Sequence, residues 1–197
     1  MVSLLFLIGM SWAEPNLERC YPEGVSNEAY CTSITVPENH DLPSKTIDLH
    51  AMIVPSVRAN SRPDPVFILA GGPGQGASEV APQLMPVLTK INQQRTIVFL
   101  DQRGTGQSNP LDCELPEEYS ESLPLEELRL CRKSLEVDIT QYTTSSLVKD
   151  ISFVQEYLGY EQINLYGTSY GTRLGLAYLR EHPDAVRTAI LDGVAPL

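Results

Sequence analysis

The chain has 197 residues, enough for one domain with a true core and short for two. Hydrophobic residues make up 42% of it, which argues against a disordered chain. A formal net charge of -11 is repelled by phosphate backbones and argues against nucleic-acid partners.

Val2 to Met10 is almost wholly apolar and is followed by Ser11-Trp12-Ala13, so residues 1–13 read as a signal peptide. The run falls well short of the roughly 20 apolar residues that span a bilayer, so no stable membrane span is expected. No Lys or Arg precedes it, and a buried N-terminal strand is the competing reading. Export places the chain in the periplasm or outside the cell. Cys20, Cys31, Cys113 and Cys131 then read as disulfide partners, against the alternative of four buried thiols. Three connectivities exist. Cys20–Cys31 and Cys113–Cys131 are favoured because each pair is close in sequence and sits at the edge of an element. No C-x-x-C pair exists, so a zinc or thioredoxin-like site has no support and no metal is expected.

Thr32 to Val36 and Thr46 to Val54 read as two strands joined as an antiparallel edge. In the second, Ile47, Leu49, Ala51 and Ile53 alternate with Asp48, His50 and Met52, the pattern of a half-buried strand. Val66 to Ala70 is a continuous apolar run, as in a strand buried on both faces. A helix over Glu79 to Lys90 is made irregular by Pro82 and Pro86. Thr96 to Leu100 is a second continuous apolar strand. After an acidic, proline-punctuated stretch, a helix begins near Pro124 and carries Leu125, Leu128, Cys131 and Leu135 at helical spacing. Thr144 is the expected N-cap of the next helix, whose face is Leu147, Ile151, Val154 and Leu158, with Gly159 as its stop. Ile163 to Tyr166 is a strand, Tyr170 to Glu181 a helix, and Ala185 to Leu191 contains another strand. This rhythm predicts an α/β fold: a mostly parallel sheet with helices on both faces. Such sheets bind ligands beyond the carboxyl ends of their strands. Glycine-rich turns fall there after Ala70, Leu100 and Tyr166.

The third turn is Gly167-Thr168-Ser169-Tyr170-Gly171, between an apolar strand and an amphipathic helix. A serine becomes a nucleophile when a sharp, strained strand-to-helix turn presents it and a base takes its proton. Glycines two residues to either side let neighbouring backbones pass closely. The helix then aims its N-terminal N–H groups at the reaction centre. Ser169 is therefore the candidate nucleophile, and the Tyr170 N–H one oxyanion donor. The first turn, Gly71-Gly72-Pro73-Gly74-Gln75-Gly76, is the candidate source of the second donor, at Gly72. It is no phosphate loop, because Ala77 stands where Lys would follow Gly76. In the second turn, Asp101-Gln102-Arg103-Gly104-Thr105-Gly106, the charges of Asp101 and Arg103 can cross-link neighbouring loops as structural support. No dinucleotide fingerprint is present, so no cofactor is expected.

Together and in this order, Gly71-Gly72-Pro73-Gly74, Asp101 to Cys113 and Leu165 to Gly171 resemble the proline iminopeptidase and tripeptidyl aminopeptidase family of α/β-hydrolases. The stretch through Cys113 is most similar to its exported branch. Family members usually carry His before the Gly-Gly-Pro-Gly run, where this chain has Ala70. The resemblance implies a serine hydrolase of peptidase type that releases short N-terminal units from peptide substrates through an acyl-enzyme. It also implies that residues 14–197 are the N-terminal part of the hydrolase domain. A helical cap, the last strands, the catalytic Asp and the catalytic His would follow, in the chain order Ser, acid, His.

His40 and His50 precede the serine, and His182 ends the helix after it, roughly 20 Å along. None suits the role of base, and the acid of the family lies later than Asp192. An esterase or other acyl hydrolase of the same fold and a catalytically inactive truncated module are the alternative readings. Glu117, Glu118, Glu121, Glu126 and Glu127 could grip a substrate amine, against the alternative of a solvated acidic helix face. No pattern specifies an oligomeric state.

Overall fold

A computed structural model describes residues 15–113 and 125–196. The expected signal segment, Pro124, Glu117, Glu118 and Glu121 lie outside the described residues. Among the described residues the strands are β1 (Glu18–Cys20), β2 (Ala29–Pro37), β3 (Thr46–Val54), β4 (Val66–Leu69), β5 (Ile97–Leu100), β6 (Ile163–Thr168) and β7 (Val186–Asp192). They form one sheet in the order β1-β2-β3-β5-β4-β6-β7. β1, β2 and β3 run antiparallel, and β3 meets β5 antiparallel. β5, β4, β6 and β7 are parallel to one another. The expected antiparallel edge is present and is extended by the three-residue β1, which carries no period of its own.

Four α-helices among the described residues accompany the sheet: α1 (Ala81–Asn92), α2 (Leu125–Ser134), α3 (Thr144–Tyr157) and α4 (Tyr170–Glu181). α1 covers one face, packing Ala81, Met85 and Leu88 over Met52, Ile68 and Phe99. α3 and α4 cover the other, where Val148, Ile151, Leu174 and Tyr178 meet Leu49, Phe67, Val98 and Leu165. Each buried aliphatic or aromatic side chain contributes about 1.5–3 kcal/mol against exposure. β4 and β5 are buried along their whole length, as their unbroken apolar runs require.

Two expectations need correction. Alternation puts Met52 on the solvent side of β3, yet it is fully buried. The alternation holds over Thr46–Ala51 and fails at Met52, because from Ala51 onward β3 pairs with β5 and α1 lies over its second face. Thr143, not Thr144, caps α3: its backbone is extended and its hydroxyl accepts the Ser146 N–H at 3.3 Å. The proline-rich helix begins as a single 3-10 turn over Ser78–Val80 before α1, with Pro82 in the first turn of α1 and Pro86 inside it. α3 ends at Tyr157, and Gly159 follows with φ +74°, a backbone that favours glycine.

Cys20 and Cys31 are joined across β1 and β2, with Cα atoms 5.7 Å apart. Cys113 and Cys131 are joined with Cα atoms 5.6 Å apart, tying α2 to the segment that leaves the Asp101–Ser108 turn. α2 buries none of its residues.

Candidate active site

Ser169 stands between the last residue of β6 and the first of α4, exposed, with φ +51° and ψ -119°. Positive φ costs a residue with a side chain on the order of 1–3 kcal/mol and persists only where the surroundings over-determine it. Here they do. The Ser169 N–H donates to the Asp192 carbonyl at 2.9 Å. The Ser169 carbonyl accepts from the Thr172 N–H at 2.9 Å and the Thr172 hydroxyl at 2.6 Å. Thr172 in turn accepts the Ala195 N–H at 2.8 Å.

The flanking glycines explain how so tight a turn packs. A Cβ on Gly167 would lie 2.6 Å from the Gly171 carbonyl oxygen. A Cβ on Gly171 would lie 2.0 Å from the Leu69 oxygen. The first turn of α4 thus presses on the carboxyl end of β4, so that strand end and the Ser169 turn are in direct contact. The loop after β4 closes over the same place: a Cβ on Gly71 would come within 3.1 Å of the Ser169 Cβ. Gly72 follows, exposed, at φ +103° and before a cis peptide bond to Pro73. Tyr170, at the first position of α4, has an N–H without a partner inside the helix, as all first-turn donors do. Its phenol oxygen lies 3.1 Å from the Thr144 hydroxyl, at the start of α3.

The second turn holds the first. Asp101 is fully buried. Its Oδ1 accepts the Ser78 N–H at 2.7 Å, and its Oδ2 accepts the Ser78 hydroxyl at 2.8 Å and the Gln107 N–H at 3.0 Å. Gly76 and Gly106 touch, since a Cβ on Gly76 would lie 2.9 Å from the Gly106 Cα. The three glycine-rich turns expected at one rim are therefore packed against each other. Arg103 points elsewhere. Its guanidinium binds Asp150 of α3 in bidentate fashion, both contacts at 2.6 Å, and donates to the carbonyls of Glu38 at 2.6 Å and Gln141 at 3.1 Å. Asp101 and Arg103 do cross-link neighbouring segments, in opposite directions and without meeting each other. Asp150, buried and 47 residues from Arg103, carried no sequence signal beyond its place on the buried face of α3.

The three histidines are engaged away from Ser169. His40 Nε2 lies 2.8 Å from Asp150 Oδ1. His182 stacks on Tyr178 at 4.8 Å, at the far end of α4. His50 sits on β3 facing Gln107; burial lowers its pKa and the Asp101 charge opposes the shift, so the neutral imidazole is favoured. Of the acidic candidates, Glu126 is exposed and paired with Arg129 on its own helix.

An alpha/beta hydrolase fold family model matches residues 64–197. The chain belongs to the alpha/beta hydrolase fold family. It is 34% identical over 131 residues to a proline iminopeptidase of Neisseria gonorrhoeae, covering 66% of this chain and 32% of that protein. It is 28% identical over 187 residues to serine protease Hip1 of Mycobacterium tuberculosis, covering 84% and 36%. Among solved structures, a proline iminopeptidase-related protein from Thermus thermophilus superposes with a TM-score of 0.51 at 27% identity, covering 82% of this chain and 44% of that one. The chain thus spans about a third of the length of these two curated relatives. As a member of this hydrolase family with peptidase-named relatives, the chain carries a hydrolase fold whose strand ends converge on Ser169.

Proposed function

We propose that Ser169 is the nucleophile of a serine hydrolase of peptidase type that releases short N-terminal units from peptides through an acyl-enzyme. The observation that carries this reading is the backbone of Ser169: an exposed serine at φ +51°, held at both its N–H and its carbonyl, at the head of a 12-residue helix. Nothing in ordinary strand-to-helix packing requires that geometry, and nucleophile presentation does. The N–H groups of Tyr170 and Gly72 would receive the oxyanion that forms when the Ser169 oxygen attacks a carbonyl carbon. The names of the proline iminopeptidase and Hip1 relatives favour a peptide over an ester substrate.

Activation of Ser169 needs a base that takes its proton and returns it to the leaving amine. His40, His50 and His182 are each engaged elsewhere, so none of the three histidines is placed to serve as that base. Alone, the chain has the presentation and oxyanion elements, and its turnover is expected to be residual. The two disulfide pairs favour an oxidising compartment, in keeping with export. No helix among the described residues is long and apolar enough to cross a membrane.

Assays on a polypeptide extended to the length of the relatives test the substrate class. Free-amine peptide amides should be cleaved and their N-acetylated forms should not. Turnover of p-nitrophenyl esters without any peptide cleavage would move the reading to an esterase.

A further inference from the structure

We propose that Gln102 is a positioning residue that sets the Gly71–Gly72 segment against Ser169 by donating its side-chain amide to the Ala70 carbonyl. The proposal rests on Ser169 being the nucleophile. Gln102 is buried, and its Nε2 lies 3.1 Å from the Ala70 oxygen, across 32 residues of sequence. Its own backbone cannot drift, because its carbonyl accepts from the Thr105 N–H at 3.0 Å and the Thr105 hydroxyl at 2.9 Å. Asp101, its chain neighbour, grips Ser78 at the other foot of the loop. Two consecutive residues at the end of β5 therefore hold both feet of residues 71–77.

The two grips differ in what they control. Ser78 is six residues beyond Gly72. The Ala70 carbonyl shares a rigid peptide plane with the Gly71 N–H, and Gly71 stands against Ser169 and Thr168. The same carbonyl is pressed from the other side by the first turn of α4, where a Cβ on Gly171 would meet it at 2.8 Å. Rotation of this one plane would swing the Gly72 N–H relative to the serine. Steric pressure from Gly171 and the directional bond from Gln102 together fix its angle. Misplacement of a positioning group by about 1 Å costs on the order of a hundredfold in rate.

Gln102→Glu separates positioning from bulk stability. Protonated, the glutamic acid keeps the shape and can donate to the Ala70 oxygen. Ionised, it has no proton to give and faces the carbonyl with like charge. Burial at this position disfavours the ionised carboxylate and raises its pKa, so in the 15N-labelled chain the Gly71 and Gly72 amide resonances should match those of wild type at the same pH near pH 5. Near pH 8.5 they should shift and exchange roughly tenfold faster, the factor an ordinary hydrogen bond confers. Amides of β5 and β6 should not change. Fluorophosphonate labelling of Ser169 in the same variant should fall roughly tenfold to a hundredfold relative to wild type over that pH range, with the circular dichroism unchanged. Gln102→Met, uncharged and without a donor, should show the displaced glycine amides at both pH values, and serves if the glutamate variant does not fold. Glycine amides indifferent to both substitutions, or changes spread evenly over the sheet, would overturn the proposal. A wild-type chain that takes no label at Ser169 would instead overturn the nucleophile assignment, while the glycine amides still decide Gln102.

Discussion

The N–H of Ser169 donates to the carbonyl of Asp192 across 2.9 Å, joining the turn between β6 and α4 to the end of the neighbouring parallel strand. One sheet edge thereby helps hold a backbone that no isolated turn would keep. β7 pairs with β6 through Thr168↔Asp192, so the register of that pair sets where the Ser169 N–H finds its acceptor.

The tightness of this turn gives the first expectation. Gly171→Ala would put a methyl group 2.0 Å from the Leu69 oxygen, closer than any side-chain shift can relieve, since both partners are backbone. The variant should lose about 3 kcal/mol or more in urea unfolding, at or beyond the upper end for overpacked sites.

Asp101 gives the second. Its carboxylate accepts three hydrogen bonds from Ser78 and Gln107 in a fully buried place. Asp101→Ala leaves those donors unpaired and should cost about 2–4 kcal/mol by the same measurement. Proteolysis should then open first within residues 71–78, the loop it anchors.

The Arg103–Asp150 pair gives the third. The Arg103 side chain is fully buried and that of Asp150 nearly so, with His40 against both. Arg103→Met alone strands a buried carboxylate and should cost about 3–5 kcal/mol in chemical denaturation. The double variant Arg103→Met with Asp150→Leu should recover most of that loss, because the desolvation of both charges is removed together.

Asp64 gives a pH dependence. Burial raises its pKa, but hydrogen bonds from Asn164, Arg95 and Arg187 outweigh it and hold the carboxyl at about 2, below the ordinary 3.8. A folded-state pKa below the unfolded one means stability that is complete above about pH 4 and lost as pH falls toward 2. Asp64 sits just before β4 and reaches β6 through Asn164 and β7 through Arg187. Acid titration of Asp64→Asn, followed by fluorescence, should show a smaller loss of stability than wild type between about pH 4 and pH 2.

Much of the fold was legible because its signals are local. Continuous apolar runs marked β4 and β5, and the Gly-x-Ser-x-Gly spacing marked the turn between β6 and α4. The mistakes arose where distant chain decides. Met52 looked half-exposed because alternation is a property of β3 alone, whereas the helix that buries it begins 29 residues later. Thr143 and Thr144 are chemically identical, and only the backbone entering α3 tells cap from first helical residue. The partners of Arg103 are 38 to 66 residues away and those of Asp64 up to 123, so sequence showed the charges without showing whom they meet. Gln102 went unmarked for a like reason: a neutral amide between two charged residues announces nothing until its acceptor is known.

The central claim is that Ser169 is a presented nucleophile. The most direct measurement is incubation of the chain with a fluorophosphonate probe at high concentration, followed by peptide mass spectrometry, beside Ser169→Ala. A slow adduct confined to the peptide containing Ser169, and absent from the variant, is the expected result. No adduct, or equal labelling of wild type and Ser169→Ala, would contradict it.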